Sequence, residues 1–216
     1  MKRLYGIGTG PGASDLLTIR AVNAIRESQV IFTPNNKGVN MALDTAAEFI
    51  GNKRVVLIDF PMGKVTKEDY KKAAEIINNE IEEGETGSFL TIGDSMIYST
   101  FIYIMDELDG KDIEIEIVPG IPSFVAAAAA SKLPLTVKGD VFVLCDEYSD
   151  VKCNFDSIAI LKTFKNKEYL LEKLEKDNID YTYIKRSSLD NEEVIKDRNK
   201  ITEDKDYISL ILGRKK

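Results

Sequence analysis

The sequence predicts an α/β protein of two αβ units with largely parallel or mixed β-sheets. Short apolar segments typical of strands alternate with longer segments of helical periodicity. Gly, Pro and Asn residues separate these segments. Alternation at this spacing is typical of parallel strands joined by helices. The 216 residues, 44% of them hydrophobic, are enough to bury one large core or two small ones.

Elements of the first part of the chain follow from apolar periodicity and from capping residues. Ser14 is expected to cap a helix, Thr66 with Asp69 fits a capping box, and Pro34 is expected to end a strand. Ile113–Val118 alternates apolar and acidic residues, which indicates a strand with one wet face near a sheet edge. The expected strands are Arg3–Gly8, Gln29–Thr33, Arg54–Ile58, Thr86–Ile92 and Ile113–Val118. The expected helices are Asp15 to about Ser28, Asn40–Ile50, Thr66 to near Gly84, a segment ending near Leu108, and Phe124–Ala130.

A domain boundary is expected within Lys132–Gly139, where proline and glycine interrupt the pattern. This gives an N-terminal αβ domain over residues 1–135, with the glycine-rich loops, and a smaller C-terminal αβ domain over residues 136–216. The polar segment Asp190–Asp206 is expected to lie in solvent. The expected elements of the second domain are the strands Asp140–Cys145, Ser157–Lys162, Asp180–Arg186 and Tyr207–Gly213 and the helix Lys167–Asn178.

Composition and charge argue against several classes of function. The chain has no histidine, the commonest metal ligand and general base, which argues against triad hydrolases and most zinc sites. Cys145 and Cys153 form no metal motif and no disulfide framework, and no protein metal site is expected. A net charge of −7 disfavours broad nucleic-acid binding. No apolar run approaches the roughly 18 residues of a membrane span, and the first residues enter a strand at once, so the expectation is a cytoplasmic protein without a signal peptide.

The glycine-rich turn Gly8–Ala13 fits G-x-G-x-x-G/A between a strand and a helix. Nicotinamide binding would also require an acidic residue near the end of the second strand, where Thr33-Pro34-Asn35-Asn36 stands instead. A phosphate-binding loop would require Gly-Lys-Ser/Thr, which is absent. The turn is therefore either a plain connection or a place where backbone approaches a ligand or another segment closely.

Two further loops leave strands and enter helices. Gly93–Thr100 follows the carboxyl end of a strand, where open α/β sheets bind ligands. Its one obvious charge, Asp94, either contacts a ligand, caps the next helix, or does both. Pro119–Ser123 is stiffened by two prolines, which reduces the entropy lost on binding, and Ser123 is expected to cap a helix. Three such loops at strand ends predict one ligand crevice.

Together the three loops resemble the tetrapyrrole methylase family. The family's first motif, G-x-G-P-G-x-x-x-L-L-T, matches Gly8–Thr18. Its second, G-D-P followed by Tyr and small residues, matches Gly93–Ser99, with Ser95 in place of the proline; this is expected to loosen the loop. Its third, V-P-G-I followed by small residues, matches Val118–Ser123. The resemblance covers the first 135 residues well. The sequence of Gly93–Phe101 is similar to that of family members that methylate carbon 20 of precorrin-2 or its cobalt complex.

The resemblance implies a methyltransferase of cobalamin (vitamin B12) biosynthesis. It implies S-adenosylmethionine as the methyl donor, held in a cleft between two domains, and a homodimer. With no histidine, Asp94 and Tyr98 are the candidate bases for the proton lost from carbon 20, although positioning alone can suffice. The cofactor contacts carried over by position are Pro11, Gly93, Asp94, Ile97, Pro122 and Ser123, with Lys162, Tyr183 and Ser209 in the second domain.

Such a substrate carries many carboxylates, so an acidic protein would recognise it through a local set of cations. Cobalt would arrive inside the macrocycle. Lys and Arg residues are more often solvated surface groups than ligand contacts, and the candidate cations are Arg20, Lys37, Lys138, Lys162, Lys165 and Arg186. Two other functions stay open: a methylase of the same fold that acts on another corrin position, a protein or ribosomal RNA, and a non-catalytic nucleotide-binding module.

Overall fold

Two units make up the protein. The computed structural model describes residues 1–35, 40–61, 65–148, 151–163 and 166–216. Unit 1 comprises Met1–Pro122 and unit 2 comprises Ser123–Lys216. The helix Ser123–Ser131 (α5) groups with unit 2 because it packs against two strands of that unit, whereas the sequence motifs place it in the N-terminal domain.

Unit 1 contains a five-stranded parallel sheet with the strand order β3-β2-β4-β1-β5. The expected parallel arrangement is thus confirmed for this unit. The strand β5 lies at an edge of the sheet, as its alternating apolar and acidic residues indicate. The strands are β1 (Lys2–Gly8), β2 (Val30–Asn35), β3 (Arg54–Asp59), β4 (Thr86–Thr91) and β5 (Ile113–Val118).

Helices cover both faces of this sheet. Because successive strand residues point to opposite faces, Leu4 belongs to the core formed with the third and fourth helices, and Tyr5 belongs to the core formed with the first two. Phe89 and Leu90 divide between the two cores in the same way. The helices are α1 (Ile19–Glu27), α2 (Met41–Ile50), α3 (Lys67–Glu80) and α4 (Thr100–Leu108), and the capping box at the start of α3 is confirmed.

The first helix begins later than its sequence suggests. Ser14 lies in a short 3₁₀ turn, Ser14–Leu16, and the extended backbone of Leu17 separates this turn from α1. Thr18 is the N-cap, and its side chain accepts a hydrogen bond from the Ala21 amide at 3.1 Å. The predicted Ser14 cap is therefore wrong, because a second good capping residue stands four positions further along.

The strand β2 continues through Pro34, which was expected to end it. Pro34 pairs with Ile58 of β3, while the other side of β2 is paired with β4 only over Val30–Phe32. At this point β2 is paired on one side only, and a proline is tolerated where a strand has an unpaired side.

Unit 2 contains a mixed five-stranded sheet with the strand order β6-β7-β10-β8-β9. Only β6 and β7 pair in parallel; the other pairs are antiparallel. Its core is formed by strand residues together with α6 residues such as Leu171 and Leu174. The remaining elements are β6 (Phe142–Cys145), β7 (Ser157–Leu161), α6 (Lys167–Lys176), β8 (Ile179–Lys185), β9 (Glu193–Ile195), α7 (Arg198–Glu203) and β10 (Ser209–Lys215).

The segment Asp190–Asp206 is more ordered than a solvated connection. It holds β9 and α7, and Ile201 of α7 is fully buried in the core of unit 2. Most residues of the segment are exposed, as expected, and Ile201 is the exception because one apolar residue among many charges is enough to bury one side of a short helix. No helix in the described ranges is both long and apolar enough to span a membrane.

The corrected cap gives a stability prediction. Thr18→Ala is expected to lower the free energy of unfolding by about 0.5–2 kcal/mol, because the Ala21 amide loses its acceptor. Ser14→Ala is the matched control and should change it by less than about 0.5 kcal/mol. Urea denaturation followed by circular dichroism measures both, and equal effects of the two substitutions would contradict the assignment.

Candidate functional site

Three loops lie side by side at one edge of the sheet in unit 1. They follow β1, β4 and β5, which are neighbours in the order β4-β1-β5. Parallel strands end at the same edge, and ligands of open α/β sheets bind there. The three loops that the sequence motifs single out are therefore adjacent in space.

The first two loops are joined by backbone hydrogen bonds. The amide of Gly10 donates to the carbonyl of Gly93 at 3.0 Å, and the amide of Gly93 donates to the carbonyl of Gly10 at 2.6 Å. The amide of Thr9 donates to the carbonyl of Thr91 at 2.8 Å, and the Thr9 hydroxyl donates to the same carbonyl at 3.1 Å. The two loops thus form one rigid layer of backbone.

Asp94 ties the second loop to the third. Its Oδ1 accepts a hydrogen bond from the amide of Met96 at 2.8 Å, and its Oδ2 accepts one from the amide of Gly120 at 2.9 Å. Helix α4 is capped instead by Ser99, whose side chain accepts from the amide of Phe101 at 3.0 Å. The alternative in which Asp94 caps the next helix is therefore wrong.

Glycines allow the three loops to meet without side chains between them. A Cβ on Gly8 would lie 2.6 Å from the amide nitrogen of Gly120 and 2.6 Å from the carbonyl oxygen of Gly93. Gly93 has a φ of +74°, and a Cβ built on it would have no atom within 4 Å. One side of the junction is thus closed by backbone, while the face of Gly93 is open.

A hydrogen bond from Ser95 to β1 restrains the second loop. It is fully buried, and its hydroxyl donates to the carbonyl of Gly6 in β1 at 3.1 Å. The expected loosening by serine in place of proline is not what the structure shows, because a cross-strand hydrogen bond takes over the restraint that the proline ring would provide.

The other predicted residues of these loops differ in exposure. Tyr98 has a φ of +46°, which is unfavourable for a side chain of this size, and it is 47% exposed. Ile97 and Pro122 are half-buried, and Pro11 is buried. Ser123 is half-buried and is the first helical residue of α5, so its expected role as a cap stays a prediction.

Unit 2 brings two of its three predicted contacts to one edge of its sheet. Ser209 begins β10, and its hydroxyl lies 3.2 Å from that of Thr163, which follows β7. Lys162 is exposed next to Thr163. Tyr183 is fully buried, and its hydroxyl donates to Oδ1 of Asp204 at 2.8 Å. It has no accessible surface for a ligand, so direct contact of Tyr183 with a cofactor is not supported.

The candidate cations for substrate carboxylates are also differently placed. Arg20 and Arg186 already form ion pairs with Glu116 and Asp206. Lys138 and Lys162 are exposed. The last two candidates, Lys37 and Lys165, lie outside the described residues.

Comparison with known proteins gives the family. A model of the tetrapyrrole (corrin/porphyrin) methylases matches residues 3–202. The chain belongs to this family. The methylase is 32% identical to the probable cobalt-precorrin-2 C(20)-methyltransferase of Methanocaldococcus jannaschii, over 98% of this chain and 96% of that protein. It is 30% identical to the cobalt-precorrin-2 C(20)-methyltransferase of Salmonella typhimurium, over 75% of this chain and 73% of that protein.

A solved structure supports the same fold. The uroporphyrin-III C-methyl transferase from Thermus thermophilus complexed with S-adenyl homocysteine matches with a TM-score of 0.72 and 18% identity. The match covers 98% of this chain and 97% of that chain. The predicted fold class is therefore confirmed.

The methylase also contains a buried charged cluster that the sequence gives no signal for. The Lys167 ammonium contacts the Tyr183 hydroxyl at 3.1 Å, the Asp204 carbonyl at 2.5 Å and the Asp204 carboxylate at 3.5 Å. Lys185 contacts the same carboxylate at 3.0 Å. Lys167 and Asp204 each stand in a charged stretch typical of surface segments, so only the folded chain shows that they are buried together.

Burial and pairing shift the ionisation of this cluster. Burial lowers the pKa of the Lys167 ammonium, and the nearby Asp204 carboxylate opposes that change. Burial by itself raises the pKa of the Asp204 carboxyl. Hydrogen bonds from the Asp206 amide, the Tyr183 hydroxyl and the Lys185 ammonium outweigh this and lower its pKa to about 2.

The depressed pKa of Asp204 predicts acid sensitivity. Since it lies below the ordinary value of 3.8, the ionised carboxylate stabilises the fold above about pH 4, and this contribution is lost as the pH falls through about 2. Asp204→Asn should cost about 2 kcal/mol of unfolding free energy at neutral pH and progressively less between pH 4 and 2. Denaturant unfolding across this pH range measures it. Asp190→Asn, which removes an exposed carboxylate, should follow the wild type; a pH-independent effect of Asp204→Asn would contradict the prediction.

Proposed function

We propose that this methylase transfers a methyl group from S-adenosylmethionine to carbon 20 of cobalt-precorrin-2 in cobalamin biosynthesis. The observation that carries the proposal is the layer of three loops in unit 1, tied by Gly10, Gly93, Asp94 and Gly120, in a chain of this family. Of the relatives at 30% identity or more, two match over 75% of this chain or more, and both are cobalt-precorrin-2 C(20)-methyltransferases by name, which favours the cobalt complex over metal-free precorrin-2 as the acceptor.

The loops fit a flat ligand with polar groups. Gly93 is buried, but the space that its Cβ would occupy has no other atom within 4 Å, which leaves room for a ligand group beside its backbone. At the adjacent end of β4, the Thr91 hydroxyl is buried and has no hydrogen-bond partner among the described residues. A buried hydroxyl without a partner is costly, so a ligand group at this place would stabilise the loop.

In this proposal, Pro11, Gly93, Asp94, Ile97 and Pro122 hold the cofactor, and Ser123 follows directly in the chain. When bound, S-adenosylmethionine supplies an activated sulfonium methyl group. The tied loops orient it, and orientation alone accounts for much of the rate of a transfer between two bound reactants. Ser209 and Lys162 of unit 2 and the homodimer stay predictions.

Asp94 and Tyr98 take different roles in this proposal. Both carboxylate oxygens of Asp94 accept backbone amides, so it acts as a positioning residue for the second and third loops. Tyr98 is held in a strained backbone conformation on an exposed part of the loop, where its hydroxyl can give its own proton to water as its oxygen takes up the proton released from carbon 20, so it is the candidate base.

Labelled methyl transfer tests the acceptor. The protein is incubated with S-adenosylmethionine carrying a ¹³C-methyl group and, separately, with cobalt-precorrin-2, precorrin-2, uroporphyrinogen III or ribosomal RNA. Label at carbon 20 of cobalt-precorrin-2 is expected, and NMR of the product locates it. Transfer to another acceptor would replace the proposed substrate, and donor binding without any transfer would favour a binding module.

Loss of one of the two amide contacts of Asp94 is expected to weaken the binding of S-adenosylmethionine. Asp94→Asn replaces one carboxylate oxygen with a donor group, so one of the two amide contacts is lost. We expect the Kd for S-adenosylmethionine to rise about tenfold, equivalent to about 1.4 kcal/mol. Isothermal titration calorimetry measures it. Asp112→Asn, an exposed site outside the loops, is the control, and equal affinities of the two variants would contradict the role of Asp94.

Removing one hydroxyl tests the proton acceptor. Tyr98→Phe should lower the single-turnover rate of methyl transfer by about 10²-fold or more while leaving the Kd for S-adenosylmethionine within about twofold. Tyr103→Phe makes the same change on the exposed side of α4 and should leave both quantities unchanged. A wild-type transfer rate in Tyr98→Phe would remove Tyr98 as the base and leave positioning alone.

A further inference from the structure

Unit 2 contains a cavity of about 680 Å³ whose lining does not include the predicted cofactor contacts. It is formed by the start of β8, the end of β10 and the residues Leu133 and Pro134 that follow α5. Ser209 lies at the opposite end of β10, six residues from Lys215, a separation of about 20 Å along a strand. The cavity therefore lies at the opposite end of these strands from Ser209.

The rim of the cavity is basic in an acidic protein. Four cationic side chains line it, against the carboxylates of Glu175 and Asp180. Both carboxylates are already engaged: Glu175 accepts from Tyr181 and pairs with Arg198, and Asp180 pairs with Lys216. The cationic residues are Lys196, Arg214, Lys215 and Lys216. A local excess of positive charge attracts anions even when the net charge of the chain is −7.

Two of these cations retain donors for a ligand. Arg214 uses Nη2 to pair with Asp140 at 2.6 Å, while its Nη1 is buried and has no hydrogen-bond partner among the described residues. Lys196 is exposed, and within the described ranges no carboxylate lies at ion-pair distance from it. A buried guanidinium N–H without a partner is rare in folded proteins, and an unseen anion is one of its explanations.

The floor of the cavity is apolar. Ile179 and Leu212 are almost fully buried, and Leu133 and Pro134 add further apolar surface to the lining. Ligand sites combine such a floor with a few placed polar groups, and their volumes range from about 300 to 1,000 Å³. The cavity has the volume and the distribution of groups of a small-molecule site.

We propose that this cavity binds a small organic anion that carries two or more carboxylate or phosphate groups. Lys196 contacts the anionic oxygens, and the Arg214 side chain, which is 40% exposed, turns to bring its buried Nη1 to them. The body of the anion lies on Ile179 and Leu212. The site is additional to the methyl-transfer loops, since all its residues belong to unit 2 and none is among the predicted cofactor contacts.

Calorimetry at constant ionic strength tests the site with two probes, citrate for carboxylates and inorganic pyrophosphate for phosphates. We expect saturable binding of at least one probe with one site per chain. Lys196→Glu should weaken it tenfold or more. Lys205→Glu makes the same charge change at an exposed position near the opposite end of β10, and it should change the affinity less than twofold.

Arg214→Gln should also weaken binding at least tenfold, because it removes the buried donor. A thermal melt checks that Arg214→Gln is folded, since this variant also loses the pair with Asp140. If Arg214→Gln is unfolded, the Lys196→Glu variant decides the test. Absence of binding by both probes, or equal weakening by Lys196→Glu and Lys205→Glu, would overturn the proposal. Methyl transfer is not measured, so the result is independent of the proposed function.

Discussion

The carboxylate of Asp94 holds the candidate site together. Its two oxygens accept hydrogen bonds from backbone amides of its own loop and of the loop after β5. Paired backbone hydrogen bonds between Gly10 and Gly93 fix the loop after β1. Each of these contacts requires β4, β1 and β5 to be neighbours and to end at the same edge. The parallel sheet therefore brings the three loops together, and hydrogen bonds to the Asp94 carboxylate hold them in place.

Backbone rather than side chains forms most of this site. Close packing at Gly8 and Gly120 leaves no room for side chains at the junction, so a ligand there would meet mainly backbone amides and carbonyls. Such a site tolerates changes that keep the backbone fixed. Ser95 is an example, because its buried hydrogen bond to Gly6 restrains the loop at a position where the family has proline.

In unit 2, a cluster of charged side chains rather than close backbone packing holds neighbouring segments together. Lys167 is buried and Lys185 and Asp204 are partly buried; Asp204 pairs with both lysines, and the Tyr183 hydroxyl contacts Lys167 and Asp204. Removing one partner of such a cluster leaves a buried charge uncompensated, which is costly. This cluster fixes residues 204–209 against β8 and so sets the position of Ser209 at the start of β10.

The sequence by itself determined the parallel sheet of unit 1, the three loops and the family. These features depend on local patterns: strand and helix periodicity, glycine and proline at turns, and motifs within short segments. The capping box at Thr66 and the edge strand β5 were predictable for the same reason. Where two local signals competed, as with Ser14 and Thr18, the sequence could not decide between them.

Only the tertiary structure decided the partners of the charged and hydroxyl side chains. Asp94 was expected to contact a ligand, to cap a helix, or to do both, and that it ties two loops depends on Gly120, which is 26 residues away in the chain. Tyr183 looked available to a ligand until folding buried it against Lys167 and Asp204, which stand in segments with ordinary surface composition. These outcomes depend on contacts between residues distant in sequence, and no local pattern encodes them.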